Sequence, residues 1–382
     1  MKITKIELFR VPHRWLFLKI STDKGISGWG EPVVEGRTKT VEAAVNEMAD
    51  YLIGKDPRRI EDLWQTLYRG GFYRGGPVLM SALAGIDQAL HDIKAKDLSI
   101  PVYDLLGGPV RDKMKMYSWV GGDTPVEVVE GIKTKQKLGY KAVKMNGTGQ
   151  LEWIDSYQKI EELTQRMSSI RDAVGNTMDV AIDLHGRVHK GMLKRLLKSL
   201  EPYTPFFLEE PLLPENLDGL KSIYSYTDIP IATGERLYSR WDFKPLFHDG
   251  SVDIIQPDIS HAGGISEVKK IATMAESYDL ALAPHCPLGP IALSASLHLD
   301  FSCINALIQE SSIDIHYNDG INLTDYVTNP EIFNLEDGYI KRPLGTGLGI
   351  EIDEDKVREA SKLEHNWKNP VWRNEDGSIT EW

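Results

Sequence analysis

Three consecutive apolar runs of this chain close on an acid. Val180-Ala181-Ile182 ends in Asp183, Phe206-Phe207-Leu208 in Glu209, and Ile231-Ala232-Thr233-Gly234 in Glu235. A strand buried on both faces should stay rich in Val, Ile and Leu to its end, so a carboxylate at each terminus calls for a reason. Brought together, three carboxylates repel one another and resist desolvation, and they either take up protons or share a cation. Oxygen donors without Cys or a His cluster favour Mg²⁺, one ion whose octahedron is completed by substrate or water. The plainer alternative is three separate ion pairs with Lys or Arg.

Later runs end in a second polar set. Val252–Asp258, Leu280–His285 and Asn305–Glu310 place Asp258, His285 and Glu310 at neighbouring termini. A carboxylate beside an imidazole fixes its tautomer and raises the basicity of the other ring nitrogen, which makes a general base. His185 lies two residues beyond Asp183, so period-two geometry turns a metal ligand and a proton donor to one cavity. Lys144 and Asn146 repeat that spacing with Met145 turned away, and Lys144 either braces the carboxylates or balances an anionic substrate. Trp119 reads as core or pocket wall and Arg187 as a loop contact. His13, His91, His189, His248, His261, His298, His316 and His365 read as structural or solvated.

These residues need elements that bring them to one place. Lys2–Val11, Trp15–Ser21 and Ile26–Gly30 read as strands, with a hairpin at Asp23-Lys24-Gly25. Helical spacing follows over Val41–Ile53, Ile60–Tyr68 and Val78–Ala95, which makes an α+β unit. From Met114 the pattern changes to eight strand-like runs. They are Met114–Trp119, Ala142–Asn146, Val180–His185, Pro205–Glu209, Pro230–Glu235 and the three named above. Between them lie helical stretches, among them Val126–Leu138, Trp153–Val174, Met192–Leu200, Ile265–Tyr278 and Ile291–Phe301. The repeat is close to the roughly 30 residues per unit of a (β/α)8 barrel. No glycine-rich turn follows the first run as a doubly wound sheet would want. Gly345-Thr346-Gly347-Leu348-Gly349 lacks a following helix and reads as a turn. The expected fold class is thus α/β, a (β/α)8 TIM-like barrel behind an N-terminal α+β capping domain. The expected division is 1–112 for the cap, 113–330 for the barrel, and 331–382 for a segment returning to the cap. After Glu310 one more helix is expected to close the barrel, and Pro343–Ile352 to fold back on the N-terminal domain.

Composition narrows the partners. With 382 residues, 41% hydrophobic and 26% charged, the chain has the balance of a globular protein with a sizeable core. The formal charge of −12, from 44 Lys and Arg against 56 Asp and Glu, disfavours nucleic acid. No apolar run approaches the ~18 residues of a membrane span, and the N-terminal residues show no signal-peptide pattern. Cys286 and Cys303 make no CxxC pattern and read as small buried hydrophobes in a cytoplasmic protein.

Together these residues resemble the enolase superfamily, within it the mandelate racemase subgroup. The likeness covers nearly the whole chain. It includes Gly28-Trp29-Gly30-Glu31, Ile100-Pro101-Val102-Tyr103-Asp104-Leu105-Leu106-Gly107-Gly108, Glu209-Glu210-Pro211, Ala232-Thr233-Gly234-Glu235 and the acid trio. The resemblance implies removal of a proton α to a carboxylate, with Mg²⁺ stabilising the enediolate. Two departures matter. Where the subgroup carries Lys-x-Lys, this chain has Lys144-Met145-Asn146, and Asn cannot serve as a second base. Where its racemases carry Asn two residues after the first metal ligand, His185 stands. A racemase or cycloisomerase is therefore disfavoured, and β-elimination of water from a sugar acid is implied. Glu35-Gly36-Arg37-Thr38 and the tail Pro370–Ser378 also resemble an acid-sugar dehydratase of that subgroup. By that likeness His285, tuned by Asp258, removes the C2 proton, His185 protonates the departing C3 hydroxyl, and Glu310 holds the enolic oxygen. Asp183, Glu209 and Glu235 hold the metal, Lys144 and Asn146 meet the substrate, and the subunits form a homo-oligomer. A gluconate- or mannonate-type dehydratase and a silent sugar-acid binder remain as alternatives.

Overall fold

The first thirty residues form an antiparallel meander, β1 (Ile3–Val11), β2 (Trp15–Thr22) and β3 (Ser27–Gly30), paired in that order. In the computed structural model, which describes residues 1–315, 318, 320–365 and 367–382, it is followed by α1 (Thr38–Leu52), α2 (Ile60–Arg69), α3 (Pro77–Leu98) and the single turn α4 (Val102–Leu105). His316 lies outside the described residues. The glycines flanking Trp29 let β3 lie against α3. A Cβ on Gly28 would stand 2.3 Å from the Ala89 carbonyl oxygen, and one on Gly30 1.9 Å from that of Gly85. No side chain fits there.

Eight parallel strands follow, separated by helices. They are β4 (Lys113–Val120), α5 (Pro125–Lys137), β5 (Ala142–Asn146), α6 (Tyr157–Val174), β6 (Asp179–Asp183), α7 (Lys190–Leu200), β7 (Leu208–Glu209) and α8 (Leu220–Tyr224). The series continues with β8 (Ile231–Thr233), α9 (Arg240–Asp249), β9 (Ile254–Ile255), α10 (Gly264–Glu276), β10 (Ala281–Leu282), α11 (Pro290–Ser302) and β11 (Gln309–Ser311). Each strand pairs with the next from β4 to β10, and β11 pairs with β4. Leu282 closes the ring, donating to Asn305 O at 2.9 Å and accepting from Leu307 N at 2.7 Å. Tyr117, Phe207, Ile254 and Ile308 fill the bore together with Ala142, Ala181, Ala232 and Ala283. Large and small side chains share the bore, as in a packed barrel interior.

Two local expectations need correction. The helix expected from Trp153 begins at Tyr157. Asp155 accepts backbone N–H groups from Glu152 and Ser156, and a side chain that binds nearby backbone competes with the helix. After β11 no further α-helix closes the barrel among described residues 312–353. Instead the 3₁₀ turns Leu323–Tyr326 and Pro330–Phe333 lead to the hairpin β12 (Leu335–Glu336) and β13 (Tyr339–Lys341), and β13 pairs antiparallel with the start of β4. The chain then passes α3, where a Cβ on Gly347 would lie 2.1 Å from Asp92 Oδ1 and Leu348 N donates to that same oxygen at 2.9 Å. In α12 (Glu354–Ala360), Glu354 pairs with Lys19 of β2 and Arg358 with Glu7 of β1. The first and last parts of the chain therefore share one surface.

Candidate active site

The alternation that packs the bore also aims the polar residues at its mouth. Two positions beyond the interior layer come Lys144 from Ala142, Asp183 from Ala181 and Glu209 from Phe207. The same step gives His285 from Ala283 and Glu310 from Ile308, and four positions give Asp258 from Ile254. Glu235 is out of phase, three residues past Ala232. Gly234 makes up the difference with φ +139, where a Cβ would also sit 2.7 Å from the Phe243 ring. Only glycine re-aims that strand end.

Seven of the nine expected residues line one cavity of about 490 Å³: Lys144, Asn146, Asp183, His185, Glu235, His285 and Glu310. Glu209 and Asp258 are fully buried behind it. Oxygens of Asp183, Glu209 and Glu235 lie within 4.8 Å of one another. Asp183 Oδ2 and Glu235 Oε2 are buried and accept no hydrogen bond. Burial and the neighbouring acids push Glu235 up to about 7 and Glu209 well above the ordinary carboxylate range. Lys144 offsets part of this charge, with Nζ at 2.7 Å from Glu209, 3.0 Å from Glu310 and 3.3 Å from Asp183. Gln256 donates to the other Glu209 oxygen at 2.7 Å. Three hard oxygen ligands, two of them with an oxygen that accepts no hydrogen bond, fit Mg²⁺. Glu210, next to the trio in sequence, is taken out of it by a two-bond pair with Arg236, at 2.8 and 2.7 Å.

His285 Nδ1 lies 2.8 Å from Asp258 Oδ2, and Asp258 Oδ1 accepts the Ser260 N–H at 2.7 Å. That leaves Nε2 to the cavity, 3.5 Å from Glu235. Burial opposes charge on the ring, but Glu235, Asp258 and Glu310 outweigh it and hold the His285 pKa well above its usual value. A cation neutralising Glu235 would relieve that hold. His185 has the opposite setting. Burial, with Arg187, Lys144 and Arg236 against the single carboxylate of Asp183, lowers its pKa to about 3, and Trp119 flanks its ring at 5.7 Å. Glu310 is held from both sides, by Lys144 and by the Cys286 N–H at 2.9 Å. Asn146 Oδ1 accepts from Arg187 at 2.9 Å.

Sequence reasoning missed part of the wall. His261, expected to be structural, lines the cavity with its ring 6.4 Å from that of His285. It lies 3.6 Å from Glu35 and 3.8 Å from Asp258, and Ser81 of α3 meets its Nδ1 at 3.2 Å. The spacing Asp258-x-x-His261 was the available signal. Arg14 pairs with Glu35 at 3.1 Å, and both line the cavity. Arg187 is buried in the wall, and Trp367, Trp372 and Trp382 reach it from the C-terminal segment. Nothing local announces residues so distant in sequence.

Comparison with known proteins agrees with this geometry. Residues 10–107 match the mandelate racemase / muconate lactonizing enzyme N-terminal domain, and residues 127–356 the enolase C-terminal domain-like family. The chain is 58% identical over all 382 residues to D-galactonate dehydratases of Ralstonia nicotianae and Ralstonia pickettii, covering the whole of each. Among solved structures, a candidate galactarate dehydratase from Agrobacterium radiobacter, with sodium and L-malate bound in an ordered active site, is 31% identical. It superposes with TM-score 0.90 over all of both chains. A candidate dehydratase from Mesorhizobium loti is 32% identical with TM-score 0.89, over 94% of this chain and 98% of its own. A barrel whose strand ends carry this acid trio and histidine pair, beneath this cap, belongs to the mandelate racemase / muconate lactonizing enzyme group of the enolase superfamily.

Proposed function

We propose that this protein dehydrates D-galactonate to 2-dehydro-3-deoxy-D-galactonate in a Mg²⁺-dependent reaction. The observation that carries the reading is the pairing of His285–Asp258 with His185 on the walls of one cavity, around Asp183, Glu209 and Glu235. The choice of sugar acid is supported by the 58% identity to D-galactonate dehydratases.

Asp183, Glu209 and Glu235 would hold the ion, and Mg²⁺ bound there would supply positive charge to the substrate carboxylate as its α-proton leaves. His285 removes the C2 proton through Nε2, while Asp258 steadies the imidazolium that forms. His185 protonates the C3 hydroxyl as it departs. Its ring is neutral in the resting site, and the negative charge of a bound aldonate and its enolate favours the protonated form at that moment. Lys144 pairs with Glu209 and Glu310 and holds them in place, and Glu310 lies beside the developing enolic oxygen. Asn146, lacking a basic nitrogen, leaves the opposite face of C2 without a second base, which favours elimination over racemisation.

The test is keto-acid formation from D-galactonate, D-gluconate and D-mannonate, each with Mg²⁺ and with EDTA. We expect a 2-keto-3-deoxy acid from D-galactonate that EDTA abolishes. No such product from D-galactonate, or an EDTA-insensitive one, overturns the reading. The resemblance further supports a homo-oligomer, measurable by light scattering. The two buried free thiols, Cys286 and Cys303, support a cytoplasmic setting.

A further inference from the structure

The residues named so far account for one end of an aldonate: the carboxylate at the acid trio, C2 at His285 and C3 at His185. Carbons four to six and their hydroxyls need the remaining wall, which the C-terminal segment shares with Arg14 and Glu35 of the cap and His261 of a barrel loop. We propose that residues 367–382 form the specificity wall of this site, with Trp372 the positioning residue that sets Arg187 against the far hydroxyls of the substrate. The inference rests on the aldonate reading above.

The segment is a built element. Arg373 and Ile379 form an antiparallel bridge, Asn374 N donates to Ser378 O at 2.9 Å, and Thr380 N to Trp372 O at 3.2 Å. It is pinned to the barrel, since Thr380 Oγ1 donates to Leu151 O at 2.8 Å and Gln150 Nε2 to Asn374 Oδ1 at 3.2 Å. It also meets the cap. Gly36 has φ +73, and a Cβ there would stand 2.5 Å from Asn369 Oδ1, so that loop leaves room for the tail.

Arg187 connects this wall to the chemistry. It is only 4% exposed and its guanidinium lies 4.7 Å from the Trp372 ring centroid. Nη1 donates to Asn146 Oδ1 at 2.9 Å and to Thr148 O at 2.8 Å. The buried Nε–H has no acceptor. An unmade bond on a buried guanidinium is costly, and a ligand oxygen would supply it. The indole faces of Trp367 and Trp372 offer flat apolar surface to the C–H side of a polyol, leaving orientation to a few polar groups.

The test reads binding, apart from turnover, in a His285→Asn background with Mg²⁺ present. Calorimetry gives the Kd of D-galactonate and of its C4 epimer D-gluconate, with and without Trp372→Ala, and separately the Kd of Mg²⁺. Expected is a loss of D-galactonate affinity of about tenfold or more, the size of one good hydrogen bond. Preference over D-gluconate should shrink, Mg²⁺ affinity should hold, and Trp372→Phe should restore most of the loss. An unchanged D-galactonate Kd in Trp372→Ala overturns the inference, as does a parallel fall in Mg²⁺ affinity, which would mark general damage. If the His285→Asn parent binds no D-galactonate, the aldonate reading fails first and takes this one with it.

Discussion

The floor and the roof of this cavity are built by different rules. Every group on the floor sits at or just past a strand end, and, Glu235 apart, its direction follows from the period of two that also packs the bore. The roof joins Arg14 and Glu35 of the cap, His261 of a barrel loop, and tryptophans beyond residue 366. Floor residues hold one another through short polar contacts, as Lys144 does with three acids. Roof residues, besides the Arg14–Glu35 pair, are tied to backbone and to rings: Arg14 donates to Pro287 O at 2.7 Å, and Arg187 stacks on Trp372. Regular geometry carries the reaction common to a fold, whereas irregular loops carry the choice of substrate.

If that division holds, floor substitutions should cost turnover and spare sugar selection. The largest effect is expected from His285→Asn, which leaves Asp258 in place but removes the proposed base. Keto-acid formation should fall by about 10³- to 10⁴-fold, at or near the upper range for a positioned general base, with Mg²⁺ affinity retained in a direct titration. Next comes His185→Asn. Dehydration should fall by about 10²- to 10³-fold, while recovered D-galactonate gains deuterium at C2 in heavy water, because the proposed base His285 is still in place. Loss of both signals together would mean the two histidines do not act on separate carbons.

A smaller effect tests the one floor residue that breaks the strand period. Gly234→Ala puts a Cβ where φ is +139 and where Phe243 stands 2.7 Å away. Glu235 should then be mis-aimed, and Mg²⁺ affinity should weaken by about tenfold, as when a ligand loses its support. Wild-type affinity in that variant would show that Glu235 reaches the ion without the glycine.

The same division explains what could be read in the sequence. Asp183, Glu209, Asp258, His285 and Glu310 were legible because each ends an apolar run, and alternation fixes the face on which it projects. Helix α9 (Arg240–Asp249) was not among the expected helices, and Pro245 sits inside it. His261 looked like an ordinary loop histidine because its partners, Ser81 and Glu35, are far away in sequence. The three tryptophans of the tail carried no sign that they would reach the barrel mouth. Their placement depends on Gln150, Leu151 and Gly36, and so on tertiary contacts that no local pattern encodes.

Floor and roof still need a joint, and Glu31 supplies it. Directly after β3, Glu31 accepts the N–H groups of Gly289 at 2.7 Å and Ala292 at 3.0 Å, capping α11 of the barrel from the other domain. Burial is the larger influence and lifts its pKa to about 8, against the two N–H bonds that favour the anion. The folded protein thus holds a proton that the unfolded chain, with an ordinary carboxyl near 4.5, has released. Stability from this group is present at low pH and is lost as pH rises from about 4.5 towards 8. The slope approaches about 1.4 kcal/mol per pH unit for one proton. Glu31→Gln keeps an acceptor for one N–H and cannot titrate. Chemical denaturation at several pH values should give Glu31→Gln a pH slope that differs from the wild type's by up to that amount, since Glu209, Glu210 and Glu235 keep their own shifts in both proteins, with Mg²⁺ affinity preserved. Equal slopes in the two proteins would mean that Glu31 stays ionised in the fold, and that the joint is an ordinary charged helix cap.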